Sequence, residues 1–256
     1  MDVKYALREF GTSTCILALV DMENFFIGDR SFYEDFERPD DTPQYVLSVP
    51  FIRAEMPLER KWSVDDPLIV PGDVELVILD TSHNAIGHYD LNDVEISLAS
   101  DGSAGRFRAT TSLPPHAWAK PVWESWRIAP PATINKWWDI PVGQREGWVE
   151  VASHSRISTR SIGEEIVLDG RGIVDLASFF CAIGEAAHGP GGYLESNFMA
   201  FFDCLRRLPA KRIRWRDYAV AEEHLSKVLD GGAGPVRCID LILGDFAAAG
   251  MPVTFE

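Results

Sequence analysis

The chain has 256 residues, enough for one large domain or two ordinary ones, and 46% hydrophobic with 25% charged residues is the composition of a folded protein. The formal net charge of −15 is spread along the chain, which argues against direct nucleic-acid binding, since that needs a basic footprint, and suits a basic protein partner. The opening residues do not read as a signal peptide and no stretch approaches membrane-spanning length, so a cytoplasmic protein without membrane contact is expected.

Residues 1–160 read as strands. Residues 74–80 are β-rich, 81–87 form a polar turn, and 88–98 return with Val94, Ile96 and Leu98 in alternation, which is a hairpin signal. Residues 107–111 and 148–152 are read as further short strands. Residues 114–141, rich in Pro and Trp, are read as a long loop tied to the sheet by its aromatics. Helical periodicity is sparse, so a mostly antiparallel β domain is expected over 1–160. Asp80, His83, His88, Asp90 and Asp93 are residue types that bind metals. The odd spacing of His83 and His88 turns their rings to opposite faces of a continuous strand, which favours a structural or solvated role.

From 161 to 256 the period changes. A strand at 165–169 and the turn pair Asp169-Gly170 lead into a helix at 175–187, with Leu176, Phe179, Phe180 and Ile183 on one stripe. A break at 188–192 is followed by a second helix over 193–208 and a strand at 212–215. A third helix over 219–229, a glycine break at 231–234, a fourth helix over 236–249 and a strand at 252–255 complete the order βααβααβ. That order implies a three-stranded parallel sheet with about four helices, and an α+β protein overall. Alternating charges over 211–216 indicate a half-exposed edge or surface strand. The four scattered cysteines, three of them in expected helices, read as reduced, buried thiols. No nucleophile elbow is present, and the Gly-rich 189–192 lacks the Lys-Ser/Thr of a phosphate loop, so neither an enzyme nor a cofactor is expected.

Asn197, Ala200, Asp203, Cys204 and Leu205 spell Asn-x-x-Ala-x-x-Asp-Cys-Leu. Residues 166–170 open a strand and turn, Asp175-Leu176 begin the next helix, Trp215 ends the second strand and Gly250 closes the last helix. Together these features resemble the barstar family of intracellular ribonuclease inhibitors, over roughly residues 163–256 and under half of the chain. The resemblance implies an immunity protein of a bacterial toxin–antitoxin pair that occludes the active site of a cognate ribonuclease or other toxin. A helix carboxylate would stand in for substrate phosphate before the enzyme's cationic groups, a charge-assisted contact strengthened by desolvation. By resemblance Asp203 is that carboxylate. Tyr193, Glu195, Asn197, Met199, Phe202 and Asp245 complete the expected partner-binding set. The chain departs from the family at Met199 and Ala249, where the family carries acids, and at Glu195, where it carries Gly. These departures point to a different toxin from the prototype's target, with Glu195 as a compensating acid. They also favour an alternative, a barstar-like regulatory protein whose partner is not a ribonuclease. A second alternative is an enzyme with its site around Asp80, His83, His88 and Asp90 in the β domain.

Overall fold

A computed structural model describes residues 2–26, 35–37, 43–53, 67–70, 72–156, 163–226, 228–231 and 234–256. The chain forms two compact units: Met1–Ala129 with His154–Arg156, and Pro130–Ser153 with Ile157–Glu256. The sequence places the main division near residue 160. The units change over instead at Ala129–Pro130, because the aromatic stretch after Ala129 packs on the helices of the second unit.

The first unit is built on β1 (Tyr5–Glu9), β2 (Cys15–Met22), β3 (Asp35–Glu37), β4 (Pro43–Arg53), β5 (Leu68–Val70), β6 (Val74–Leu79), β7 (Ala85–Leu98) and β8 (Ala104–Thr111). Every pairing is antiparallel, in the order β2-β1-β6-β7-β8-β4-β3, with β5 added on β7. β4 also pairs back onto β2 through Leu19↔Arg53 and Met22↔Phe51, so six strands close into a barrel. Alternation sets its inside. Tyr45, Leu47 and Val49 face Thr111, Ala109 and Phe107 across the β4–β8 ladder, all buried, while Ser48 and Arg106 meet on the outer face.

The expected long loop over 114–141 is replaced in part by α1 (Ala119–Ile128). Ala119, Val122, Trp123, Trp126 and Arg127 are buried at the i, i+3, i+4, i+7, i+8 spacing of one helix face. Pro121 sits in the first turn, where a missing N–H breaks no helical bond, so its presence obscured a helix it does not interrupt. Trp123 Nε1 donates to Tyr89 Oη at 2.9 Å, and Gly87 leaves room for the ring: a Cβ there would lie 2.1 Å from it. Arg127, 3% exposed, donates through Nε to the Leu79 carbonyl at 2.6 Å, fastening α1 to β6.

Residues 148–152, expected as a strand, lie in α2 (Glu146–His154), with Trp148, Val151 and Ala152 buried at helical spacing. A short apolar run rich in Val fits either period, and packing decides between them. The rest of the second unit comprises β9 (Glu165–Asp169), α3 (Leu176–His188), α4 (Phe198–Arg207), β10 (Arg212–Arg216), α5 (Tyr218–Leu225), β11 (Val228–Gly231), β12 (Gly234–Arg237), α6 (Cys238–Ala248) and β13 (Val253–Phe255). The three-stranded parallel sheet runs β13-β10-β9, as the element order implies. β11 and β12 form an antiparallel hairpin where helix ends were expected, so α5 stops earlier and α6 starts later than the sequence suggests. β10 is the central strand, not an edge. Ile213 and Trp215 are fully buried, while Arg212, Arg214 and Arg216 pair with Glu165 and Glu256. Cys181 and Cys238 are buried and Cys204 half-buried, but Cys15 is exposed.

Four aromatics from four elements meet in the core of this unit. Phe179 of α3 lies 5.6 Å from Phe201 of α4 and 6.0 Å from Trp215 of β10, and Phe246 of α6 lies 5.9 Å from Phe201. Phe201 is fully buried, whereas its neighbour Phe202 is half-buried and lies under the Arg206 guanidinium at 5.6 Å. Phe201→Ala is therefore expected to cost about 3–5 kcal/mol in urea unfolding. Phe202→Ala is expected to cost under about 1 kcal/mol. Equal losses at the two positions would contradict this assignment of inside and outside.

Candidate functional site

The expected partner surface lies on α4, the segment before it, and α6. α4 begins at Phe198, five residues later than the sequence suggests. Residues 193–196 are not helical, and Asn197 caps the helix by accepting the Ala200 N–H on Oδ1 at 2.9 Å. Much of the Asn-x-x-Ala-x-x-Asp-Cys-Leu spacing thus has a structural origin: Asn197 is the cap, Ala200 supplies the capped N–H, and Leu205 is 1% exposed in the core. Asp203 is the exception. It is exposed on the middle turn, and among the described residues no hydrogen bond or ion pair engages it.

The residues ahead of the cap form one polar network. Glu195 Oε1 accepts from Tyr193 Oη at 2.9 Å, from the Ser196 N–H at 2.8 Å and from Asn197 Nδ2 at 3.2 Å. Burial pushes the Tyr193 hydroxyl up to about 12, so it stays a donor at neutral pH. Glu195 is therefore occupied in ordering residues 193–197. The side chain of Met199 lies outside the described residues. α6 packs on α4, and it carries Asp245 beside the buried Phe246. Asp245 Oδ2 is buried without a hydrogen-bond partner among the described residues, and burial pushes its carboxyl above the ordinary aspartate value.

Sequence reasoning missed Glu185. On the last turns of α3 and 3% exposed, it accepts the Asn135 N–H at 2.6 Å, Trp137 Nε1 at 3.1 Å and the Gly191 N–H at 2.9 Å. A Glu four residues before a Gly-Pro-Gly-Gly break is a weak signal of its own. Only the packed loops reveal three donors converging on one carboxylate.

The alternative site in the first unit comes apart. Asp80 caps its own turn, accepting the Ser82 and Asn84 N–H groups at 2.8 Å, and His83 occupies that turn with φ 66°. His88 lies instead with Asp90 on β7, beside Glu75 of the neighbouring β6, and one ligand atom from each falls within 4.8 Å of the others. That trio could hold a metal ion by residue type. Arg156, however, places Nη2 2.7 Å from Glu75 and Nε 3.2 Å from His88 Nδ1, so a guanidinium already engages two of the three groups.

No protein-family model, curated protein or solved structure matches this chain. No helix among the described residues is long and apolar enough to cross a membrane.

Asp245 makes a stability prediction. Its folded-state pKa is raised above the ordinary aspartate value of 3.8, so its contribution is present below that value and lost as pH rises through the folded pKa. Above that range a charge with a buried, unbonded oxygen is a cost. Asp245→Asn should therefore unfold at higher urea than the wild type at neutral pH. The advantage should vanish near pH 3.8. A pH-independent difference would remove the buried charge as its cause.

Proposed function

We propose that the second unit is a barstar-like inhibitor that binds a ribonuclease toxin with α4 and α6 and presents Asp203 to the cationic groups that hold RNA phosphate. The observation that carries this reading is Asp203 itself: within a motif whose Asn197, Ala200 and Leu205 serve the helix and core, Asp203 alone is exposed and unengaged. A carboxylate the fold does not use is available to a partner, and a rigid helix turn lowers the entropy lost on binding. The order β9-α3-α4-β10-α5-α6-β13 around a three-stranded parallel sheet supports the same reading, with a β11–β12 hairpin inserted before α6. The net charge of −15 favours encounter with a basic enzyme.

The test uses the full chain and a candidate ribonuclease toxin, measured for inhibition of RNA cleavage and for binding. Asp203→Ala should fold as stably as the wild type and lose at least about tenfold in affinity, on the order of 1.4 kcal/mol. Association should slow as ionic strength rises. Inhibition that survives Asp203→Ala unchanged would place the interface elsewhere. If the wild-type chain leaves the nuclease uninhibited and unbound, the ribonuclease reading falls.

A further inference from the structure

The approach to α4 is built on α3. Gly189, with φ 86°, ends α3 and donates its N–H to the Glu185 carbonyl at 2.7 Å; the Gly192 N–H returns to the Gly189 carbonyl at 2.8 Å. This turn lies directly on the α3 backbone. A Cβ at Gly184 would come within 2.5 Å of the Gly192 carbonyl oxygen, so the contact exists only because residue 184 has none. At the centre of the turn the Gly191 N–H reaches the Glu185 carboxylate, whose other oxygen takes Asn135 N–H and Trp137 Nε1. Just beyond it Leu194 is 7% exposed, and the network of Tyr193, Glu195 and Asn197 caps α4.

We infer that Glu185 is the positioning residue of the partner surface: its buried carboxylate seats the turn over residues 189–192 on α3 and thereby sets where α4 begins and how Asp203 is presented. Three N–H donors meeting one carboxylate are a stronger constraint than three neutral acceptors would be, because hydrogen bonds to an ionised group are the stronger class. The carboxylate is also the common point of two loops, the one at 135–137 and the one that leads into α4. A partner that needs a fixed Asp203 would therefore depend on a residue it does not touch. The seating of the turn is a property of the chain itself; its bearing on a partner rests on the inhibitor reading above.

Glutamine at 185 separates the two loops. Its single carbonyl can satisfy the two donors at Asn135 and Trp137, and its NH2 then faces the Gly191 N–H, two donors opposed. Amide hydrogen exchange on the full chain is expected to be at least tenfold faster over residues 191–197 in Glu185→Gln, with β9 and β10 exchanging as in the wild type. Gly184→Ala should do the same by displacing the Gly192 carbonyl, although alanine itself favours the helix. Unchanged exchange over 191–197 in both variants would overturn the inference. Acceleration spread equally over β9 and β10 would also overturn it, by reducing Glu185 to general support of the fold. Binding of the same nuclease supplies the second reading. Wild type that binds while Glu185→Gln binds several-fold more weakly supports positioning, and equal binding despite faster exchange overturns it. Should the wild type bind no nuclease, the inhibitor reading fails, and the exchange result alone decides the role of Glu185.

Discussion

The contact of Phe179, Phe201, Trp215 and Phe246 is the constraint on which the second unit depends. Each ring comes from a different element, so one cluster joins α3, α4, β10 and α6. With Phe201 and Leu205 turned inward one helical turn apart, Asp203 is left on the opposite side of α4. α6 is held in the same way by Phe246, with Ile239 and Ile242 also fully buried. The position of the candidate carboxylate is thus a by-product of aromatic packing, in which Phe179 stacks on Trp215 while the other contacts are edge-to-face, and which tolerates little rotation of the helices that carry the rings.

Two buried charges tie the Pro- and Trp-rich stretch after Ala129 to this core. Arg145, 7% exposed, donates to the Gly172 carbonyl at 2.9 Å and to Ser178 Oγ at 2.7 Å, and its guanidinium lies 5.0 Å from the centre of the Trp137 ring. Glu185 takes the N–H groups of Asn135 and Trp137. A buried charge is tolerated only when bonded, and here the bonds come from segments about thirty residues apart in the chain for Arg145 and about fifty for Glu185. That is why the stretch belongs to the second unit although it directly follows α1 of the first.

The barrel of the first unit solves a different problem. Pairing β4 back onto β2 removes two edges that would otherwise offer unpaired backbone groups. α1 then covers β6, whose residues are buried on both faces. The cluster of Glu75, His88 and Asp90 is closed by Arg156, a residue that reaches β7 only because the chain returns after α2, with the Arg156 N–H on the Ile86 carbonyl at 2.8 Å.

By itself the sequence determined the pieces whose signals are local. The β6–β7 hairpin, β9, α3 opening at Asp175-Leu176, and the parallel order of the second unit follow from period and glycine breaks, which act within a few residues. The candidate residue Asp203 was legible too, through a motif on one helix. Tertiary structure decided what local signals leave open. The Trp148 run became helix rather than strand, β10 became central rather than edge, and α4 began at its Asn197 cap rather than at Tyr193. Barrel closure and the convergence of three N–H donors on Glu185 belong to the same class. Each depends on which distant surface a segment is buried against, and burial and hydrogen bonding between distant segments leave no periodic trace in the chain.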